Sequence, residues 1–293
     1  MPTDNADQIA EWNGVLGRTW AERHAETETV VAPFGDAALE VASPRLGERV
    51  LDIGCGCGDT SLAIARAVGP AGAVLGVDVS HPMLDVALAL AGRTRCTQIE
   101  FRNADASVAE LPRNCDLLFS RFGVMFFSAP AQAFAHMRAS LRPGGRCVFA
   151  CWRAPRDNAW AMVPLSAART AMGVTPPPAD ANAPGPFAFA DEGRLRGILT
   201  DAGFADIVLA RRDLPMAIGA TPRAAAERQL RFGPTSRFVR EVGEEHASVI
   251  VAAVEKALTP FAAADGSVIL TGSAWIVTAQ SPVSGRAQPL TAT

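Results

Sequence analysis

The sequence predicts an α/β fold, a parallel sheet covered by helices on both faces. Three observations carry this reading. Short, near-continuous apolar runs alternate with helix-period segments from about residue 48 to residue 152. A glycine cluster, Gly54-Cys55-Gly56-Cys57-Gly58, lies between the first apolar run and the helix that follows it. An acidic residue, Asp78, ends the next apolar run, twenty residues after Gly58.

The elements follow in order. Arg49–Gly54 is a short apolar strand and Asp59–Val68 a helix. Ala73–Val79 is a second strand, and Pro82–Ala91 a helix with proline in its first turn. Gln98–Asn103, Cys115–Arg121 and Arg146–Trp152 read as the next three strands. Between the last two, Ala131–Leu141 is helical and stops at the breaker Arg142-Pro143-Gly144-Gly145. The Pro- and Ala-rich stretch 154–190 reads as an irregular insertion, a lid over the sheet. Residues 192–203 form a helix, Ile207–Ala217 a strand, 221–258 an amphipathic helical region and Ser267–Thr278 a late strand. Residues 5–42 read as helical, and the tail from Ser281 as mobile. The implied organisation is a helical cap (1–42), a core (43–153), an insertion (154–191), the C-terminal part of the core (192–280) and a tail (281–293).

Composition bounds the function. Of 293 residues, 49% are hydrophobic and 19% charged, enough for a packed core. The net charge is −3, and Lys256 is the only lysine. The arginines are scattered, so the footprint of a nucleic-acid binder is absent. No signal peptide and no bilayer-length apolar run are read, so a cytoplasmic protein without membrane partners is expected. Cys55, Cys57, Cys96, Cys115, Cys147 and Cys151 are expected as free thiols, because Cys-Gly-Cys is not a structural zinc spacing.

Glycines are needed where backbone turns tightly and a ligand approaches it closely. With a strand before, a helix after and Asp78 at the next strand end, the loop reads as a nucleoside site. Asp78 would accept hydrogen bonds from ribose hydroxyls. A dinucleotide fingerprint would need glycine at 59, where Asp59 would instead set a negative charge near a pyrophosphate. S-adenosylmethionine has no phosphate and tolerates that acid. Asp52, at the end of the first strand, is placed to orient its methionine ammonium.

The segments VLDIGCGCGDTSLAIA, GVDVS, RNADA, CDLLFSRFGVMFF and LRPGGRCVFACW resemble, in order, the successive motifs of class I S-adenosylmethionine-dependent methyltransferases. Bacterial relatives of the ubiquinone/menaquinone C-methyltransferases resemble them best, over residues 48–153. The resemblance implies a Rossmann-like sheet of seven strands in the order 3-2-1-4-5-7-6, the last antiparallel. It implies cofactor contacts from Trp20, Asp52, Gly54, Cys55, Gly56, Gly58, Asp78, Val79 and Met83. Asp105 would meet the adenine amino group, Ala104 and Ala106 would flank the ring, and Ser120 and Arg121 would face the methyl-transfer centre.

Methyl transfer needs an acceptor aligned with the S–CH₃ bond and water excluded. An oxygen or carbon acceptor also needs a base. The chain has no tyrosine and four histidines. His81 and His136 read as structural, leaving His24 as the candidate base or an unremarkable histidine. Arg121 reads either as an anchor for an anionic acceptor or as one half of an ion pair. Phe122, Phe126, Asn158 and Trp160 are candidate acceptor contacts, with packing as the alternative for the last two. Ser120-Arg121-Phe122-Gly123 lacks both the Pro-Pro-aromatic signature of nucleic-acid amino-methyltransferases and an acidic cluster for magnesium. A small-molecule acceptor and no metal are therefore expected, and a homodimer stays open. A non-catalytic S-adenosylmethionine-binding regulator and an NAD-dependent oxidoreductase are the alternative readings.

Overall fold

The computed structural model describes residues 5–94, 96–175, 180 and 183–283. A seven-stranded sheet runs through it in the order β3-β2-β1-β4-β5-β7-β6. The strands are β1 (Arg49–Ile53), β2 (Ala73–Asp78), β3 (Ile99–Asn103), β4 (Cys115–Arg121), β5 (Leu141–Trp152), β6 (Ala205–Gly219) and β7 (Val268–Gln280). The first five pair in parallel, and β7 is antiparallel to both β5 and β6. This is the order expected from the resemblance.

Helices flank the sheet: α1 (Ala6–Asn13), α2 (Val15–Glu22), α3 (His24–Ala42), α4 (Asp59–Val68), α5 (His81–Thr94), α6 (Pro130–Arg138), α7 (Ala159–Ala171), α8 (Glu192–Asp201), α9 (Pro222–Gln229), α10 (Gly233–Val242) and α11 (Ala247–Leu258). The apolar strands bury side chains on both faces. On one face Leu51, Ile53, Leu118 and Phe149 join Phe34, Phe134 and Phe204. On the other Val50, Leu117, Phe119 and Val148 meet Ile64, Ala65 and Val68 of α4. Sidedness on both faces is what a run such as Leu117-Leu118-Phe119 requires, since alternate residues point to opposite faces.

Four elements differ from the sequence reading. The breaker Arg142-Pro143-Gly144-Gly145 lies inside β5 rather than before it, beside an irregularity in pairing between Cys115 and Leu117. The helical region 221–258 is three helices, divided at Gly233 and Gly243, whose positive φ angles of 72° and 105° do not continue a helix. Ser281 is not loose: its N–H donates to Gly145 O and its carbonyl accepts from Gly144 N. Of the tail, residues 284–293 lie outside the described residues.

The insertion is the fourth. Its first half is the regular helix α7, with Ala161, Pro164, Leu165 and Ala168 buried at helical spacing. Its prolines disguised that stripe. The helix packs on α10, α11 and β7. The triple proline begins at Pro176, and residues 176–179 lie outside the described residues.

Candidate functional site

The carboxyl ends of β1, β2, β3 and β4 open into one cavity, closed from above by α1, α2 and the start of α3. Its floor is the loop after β1. Gly54, Gly56 and Gly58 all have positive φ, at 64°, 55° and 87°. At Gly54 the reason is contact between loops: a Cβ there would lie 2.6 Å from the Cα of Gly123, which follows β4. At Gly56 a Cβ would lie 2.8 Å from Met83 Cε. At the glycines the floor is backbone alone, where a ligand can approach closely, and Cys55 and Cys57 line it between them.

Asp78 accepts from Gly56 N and from Ser80 N, both at 2.8 Å. Burial pushes its carboxyl above the usual range, and these N–H donors partly offset that. Each oxygen keeps a lone pair, so the group can still receive hydroxyl donors. Asp105, after β3, accepts from Ser107 N at 2.9 Å, Ser107 Oγ at 2.7 Å and Asn5 Nδ2 at 3.0 Å. Asn5 Oδ1 in turn accepts from Ser128 N at 2.9 Å, which fastens the start of α1 across the cavity.

Arg121, at the end of β4, meets Glu28 of α3 in a two-pronged ion pair, at 2.7 and 2.6 Å. Burial lowers the arginine's pKa, and the Glu28 carboxylate more than reverses this. Of its two readings, the geometry presents the ion pair. His24 Nε2 lies 2.6 Å from Asp59 Oδ2. Asp59 thus pairs with a residue thirty-five positions away.

Phe122 has φ +60°, an unusual left-handed conformation for a bulky residue. Its N–H donates to Ala150 O, and its ring stacks on Trp152 at 4.0 Å and 11°. Trp12, Phe126, Phe127 and Trp20 continue the apolar wall. Trp12 lies edge-on to Phe126 at 5.3 Å and to Trp20 at 6.0 Å.

Trp20, His24, Gly54, Cys55, Gly56, Asp78, Val79, Met83, Ala104, Asp105, Ala106, Arg121, Phe122 and Phe126 all line this cavity. Five residues singled out in the sequence stand outside its lining. Gly58 caps α4 from below the loop. Ser120 is fully buried, and its Oγ accepts from Gly123 N at 3.2 Å. Asp52 is also fully buried; its Oδ2 accepts from Thr60 Oγ1 at 2.8 Å and Ser61 Oγ at 2.6 Å.

Asn158 and Trp160, expected in the acceptor pocket, are packing residues in the fold. Asn158 Nδ2 donates to Arg153 O, Ala154 O and Ser273 O, while Oδ1 accepts from Ser273 N and Trp160 Nε1. Trp160 sits behind Trp152, at 4.9 Å between rings, so it supports Phe122 only through that intermediate ring. The physical reason is the regularity of α7, which holds the insertion against α11 and β7 instead of over the crevice. Asn158→Ala should strand several buried partners at about 1–3 kcal/mol each and lower the melting temperature. Ligand affinity in the cavity should hold; an unchanged melting temperature would contradict this account.

Conversely, the cavity contains Asn5, Gln8, Ile9, Thr27 and Glu28, none of which the sequence singled out. Nothing in their local pattern marks them. Only the docking of α1 and α3 onto the sheet brings them there.

Asp52 provides a pH test. Burial raises its carboxyl from an ordinary 3.8 to about 6, against the lowering by Ser61 and Thr60. The folded state then holds a proton that the unfolded chain releases between these values. Stability from this group is present below about pH 4 and lost as pH rises through 6, by about 3 kcal/mol. Asp52→Asn should flatten that part of the stability-against-pH curve, measured by urea unfolding at pH 4 to 7. Parallel curves for the two proteins would remove Asp52 from the account.

His24, Glu28 and Asp59 also present one ligand atom each within 4.8 Å of one another. The expectation of metal independence rested on the end of β4, and these groups come from α3 and α4. Yet Arg121 already supplies a cation to both Glu28 oxygens. Calorimetric titration with magnesium or zinc should show no binding that His24→Ala removes. A site of micromolar affinity lost in that variant would reverse the expectation.

Residues 50–145 match the family described as a methyltransferase domain. That segment is similar in sequence to class I methyltransferases. A ubiquinone/menaquinone biosynthesis C-methyltransferase of Ectopseudomonas oleovorans is 37% identical over 110 residues, 37% of this chain and 65% of that protein. Nocamycin O-methyltransferase of Saccharothrix syringae is 28% identical over 193 residues, 63% of this chain and 69% of its own. Across the first curated relatives it matches, the chain spans 54 to 69% of their length. The YcgJ protein of Bacillus subtilis shares the fold, with a TM-score of 0.55 at 18% identity, covering 85% of this chain and 97% of its own. In this chain, the matched segment supplies the cavity floor. The parts of α1 to α3 that roof it lie outside that segment. No helix among the described residues is long and apolar enough to cross a membrane.

Proposed function

We propose that the chain transfers the methyl group of S-adenosylmethionine to a neutral small molecule in the cytoplasm. The observation that carries this is one cavity holding the glycine loop, the Asp78 and Asp105 carboxylates, and an aromatic wall beside the His24–Asp59 pair. The residues fit the cofactor: Asp78 retains lone pairs for ribose hydroxyls, and Gly54 and Gly56 leave backbone open to the cavity for close approach of the methionine half. Bound there, the cofactor supplies a methyl group already activated by its sulfonium. Every other task falls to the chain.

Asp105, Ala104 and Ala106 receive the adenine. Trp20 and Met83 close the cofactor half against water. Phe122 and Phe126 form the wall of the acceptor half, with Phe122 held by its stack on Trp152. His24, oriented by Asp59, takes the proton that an O–H or C–H acceptor loses. Arg121 gives both terminal nitrogens to the Glu28 carboxylate, so most of its charge is already matched within the fold. That favours a neutral acceptor over an anionic one. The relatives' names, an O-methyltransferase for nocamycin and a quinone C-methyltransferase, suit an acceptor of metabolite size. The unpaired cysteines suit a reducing compartment.

The experiment is incubation with S-adenosylmethionine and a panel of hydroxylated quinones and phenols, counting S-adenosylhomocysteine formed. Product is expected only when an acceptor is present. Tight cofactor binding by calorimetry with no turnover on any acceptor would favour a regulator instead. With an accepted substrate, His24→Ala should lower turnover on the order of 10²-fold or more while leaving cofactor affinity within about twofold. Full activity in that variant excludes the histidine as the base. Phe122→Ala should weaken acceptor use in the same way, read as a raised KM with cofactor affinity retained. Equal loss of cofactor and acceptor affinity would assign Phe122 to packing.

A further inference from the structure

Resting on that cofactor reading, we propose that Gln8 is a second reader of the adenine amino group, reaching the cavity from α1. The argument starts from donor counting. An exocyclic amino group carries two N–H donors, and a buried one is costly to leave unmet. Asp105 is the acid expected to accept from it. Its Oδ1 is already occupied by Ser107 N and Ser107 Oγ, and its Oδ2 accepts from Asn5 Nδ2. A carboxylate oxygen accepts about two hydrogen bonds, so Asp105 has one position left on Oδ2. One amino hydrogen would have no protein partner.

Gln8 supplies the missing acceptor. It lines the same cavity, and its Oε1 is buried without a hydrogen-bond partner. It lies three residues after Asn5, one helical turn along α1, and Asn5 is the residue that touches Asp105. Asn5 also fastens that end of the helix to Ser107 and Ser128, so the turn bearing Gln8 is held over the adenine end. Asn13, at the other end of α1, donates to Val79 O at 2.8 Å and accepts from His81 N at 3.0 Å. The helix is pinned at both ends across the cofactor half, with an idle carbonyl oxygen between the pins.

The test is a cycle between residue and ligand, read by calorimetry on the full chain. The ligands are S-adenosylhomocysteine and its 6-deamino analogue, whose purine ring lacks the amino group. Wild type should prefer the first by about a hundredfold, the worth of two hydrogen bonds. Gln8→Leu, equal in bulk and without an acceptor, should bind S-adenosylhomocysteine about tenfold more weakly and the analogue unchanged, shrinking the preference to about tenfold. Gln8→Glu keeps an acceptor oxygen and should retain most of the preference. An unchanged preference in Gln8→Leu overturns the proposal, leaving Asp105 as sole reader. Equal weakening of both ligands also overturns it, by assigning Gln8 to helix packing. If S-adenosylhomocysteine fails to bind the wild type, the cofactor reading itself falls, and this inference with it.

Discussion

Asp78→Ala should bind S-adenosylhomocysteine roughly a hundredfold or more weakly than the wild type, while its melting temperature without ligand falls only modestly. The loss follows from two ribose hydroxyls that no longer find an acceptor, each worth on the order of 1–3 kcal/mol in a buried setting. The variant also frees Gly56 N and Ser80 N, which Asp78 now holds at 2.8 Å, so the loop loses its preset shape. Stability should behave differently. Burial holds the Asp78 carboxyl above its usual range, meaning the fold already tolerates that charge at a cost. Calorimetry and thermal unfolding on one preparation separate the two effects. Unchanged affinity would take Asp78 out of the cofactor site altogether.

Glu28→Ala should be among the most destabilising single changes in the molecule. It leaves the Arg121 guanidinium under α3, only 13% exposed, without its hydrogen-bonded partner and with only the more distant Asp59 and Asp52 carboxylates for counter-charge. Removing one partner of a buried pair costs about 3–5 kcal/mol, because the remaining ion keeps its desolvation penalty. Exposure of 23% at Glu28 argues for the lower part of that range. The matching variant Arg121→Met should cost less, since the stranded carboxylate can protonate. Combining it with Glu28→Leu should recover much of the loss, because two apolar side chains need no solvation. Urea unfolding of the four proteins forms the cycle. Additive losses would mean that the pair is not coupled and that the ion pair is incidental to the fold.

The roof of the cavity behaves unlike its floor in how far it can be read in advance. Gly54, Gly56, Asp78 and Asp105 are legible because their roles are local. Each lies at a strand end, within a few residues of the element that positions it, and the spacing between them follows from strand and helix length. Glu28, Asn5 and Gln8 carry no such mark. They lie on helices whose sequence shows only amphipathic character, and their function depends on which face docks where. Asn158 and Trp160 show the same limit in reverse. A polar residue and an aromatic just past β5 suggest a crevice lining, yet α7 turns them onto β7 and Trp152. Asp59 also changes meaning. As a sequence position it argues only against a pyrophosphate; in the fold it holds His24.

The sequence by itself therefore determined the sheet, its order through the family resemblance, and the glycine floor of the cavity. Those follow from hydrophobic period, glycine conformation and the acid at each strand end, all set within short stretches of chain. The tertiary structure alone decided what roofs the cavity and what its charges meet. Arg121 with Glu28, His24 with Asp59 and Asn5 with Asp105 are separated by 93, 35 and 100 residues. Such pairs form because burying the apolar faces of α1 and α3 against the sheet leaves their polar groups no water, so each must find a partner wherever the packing places one.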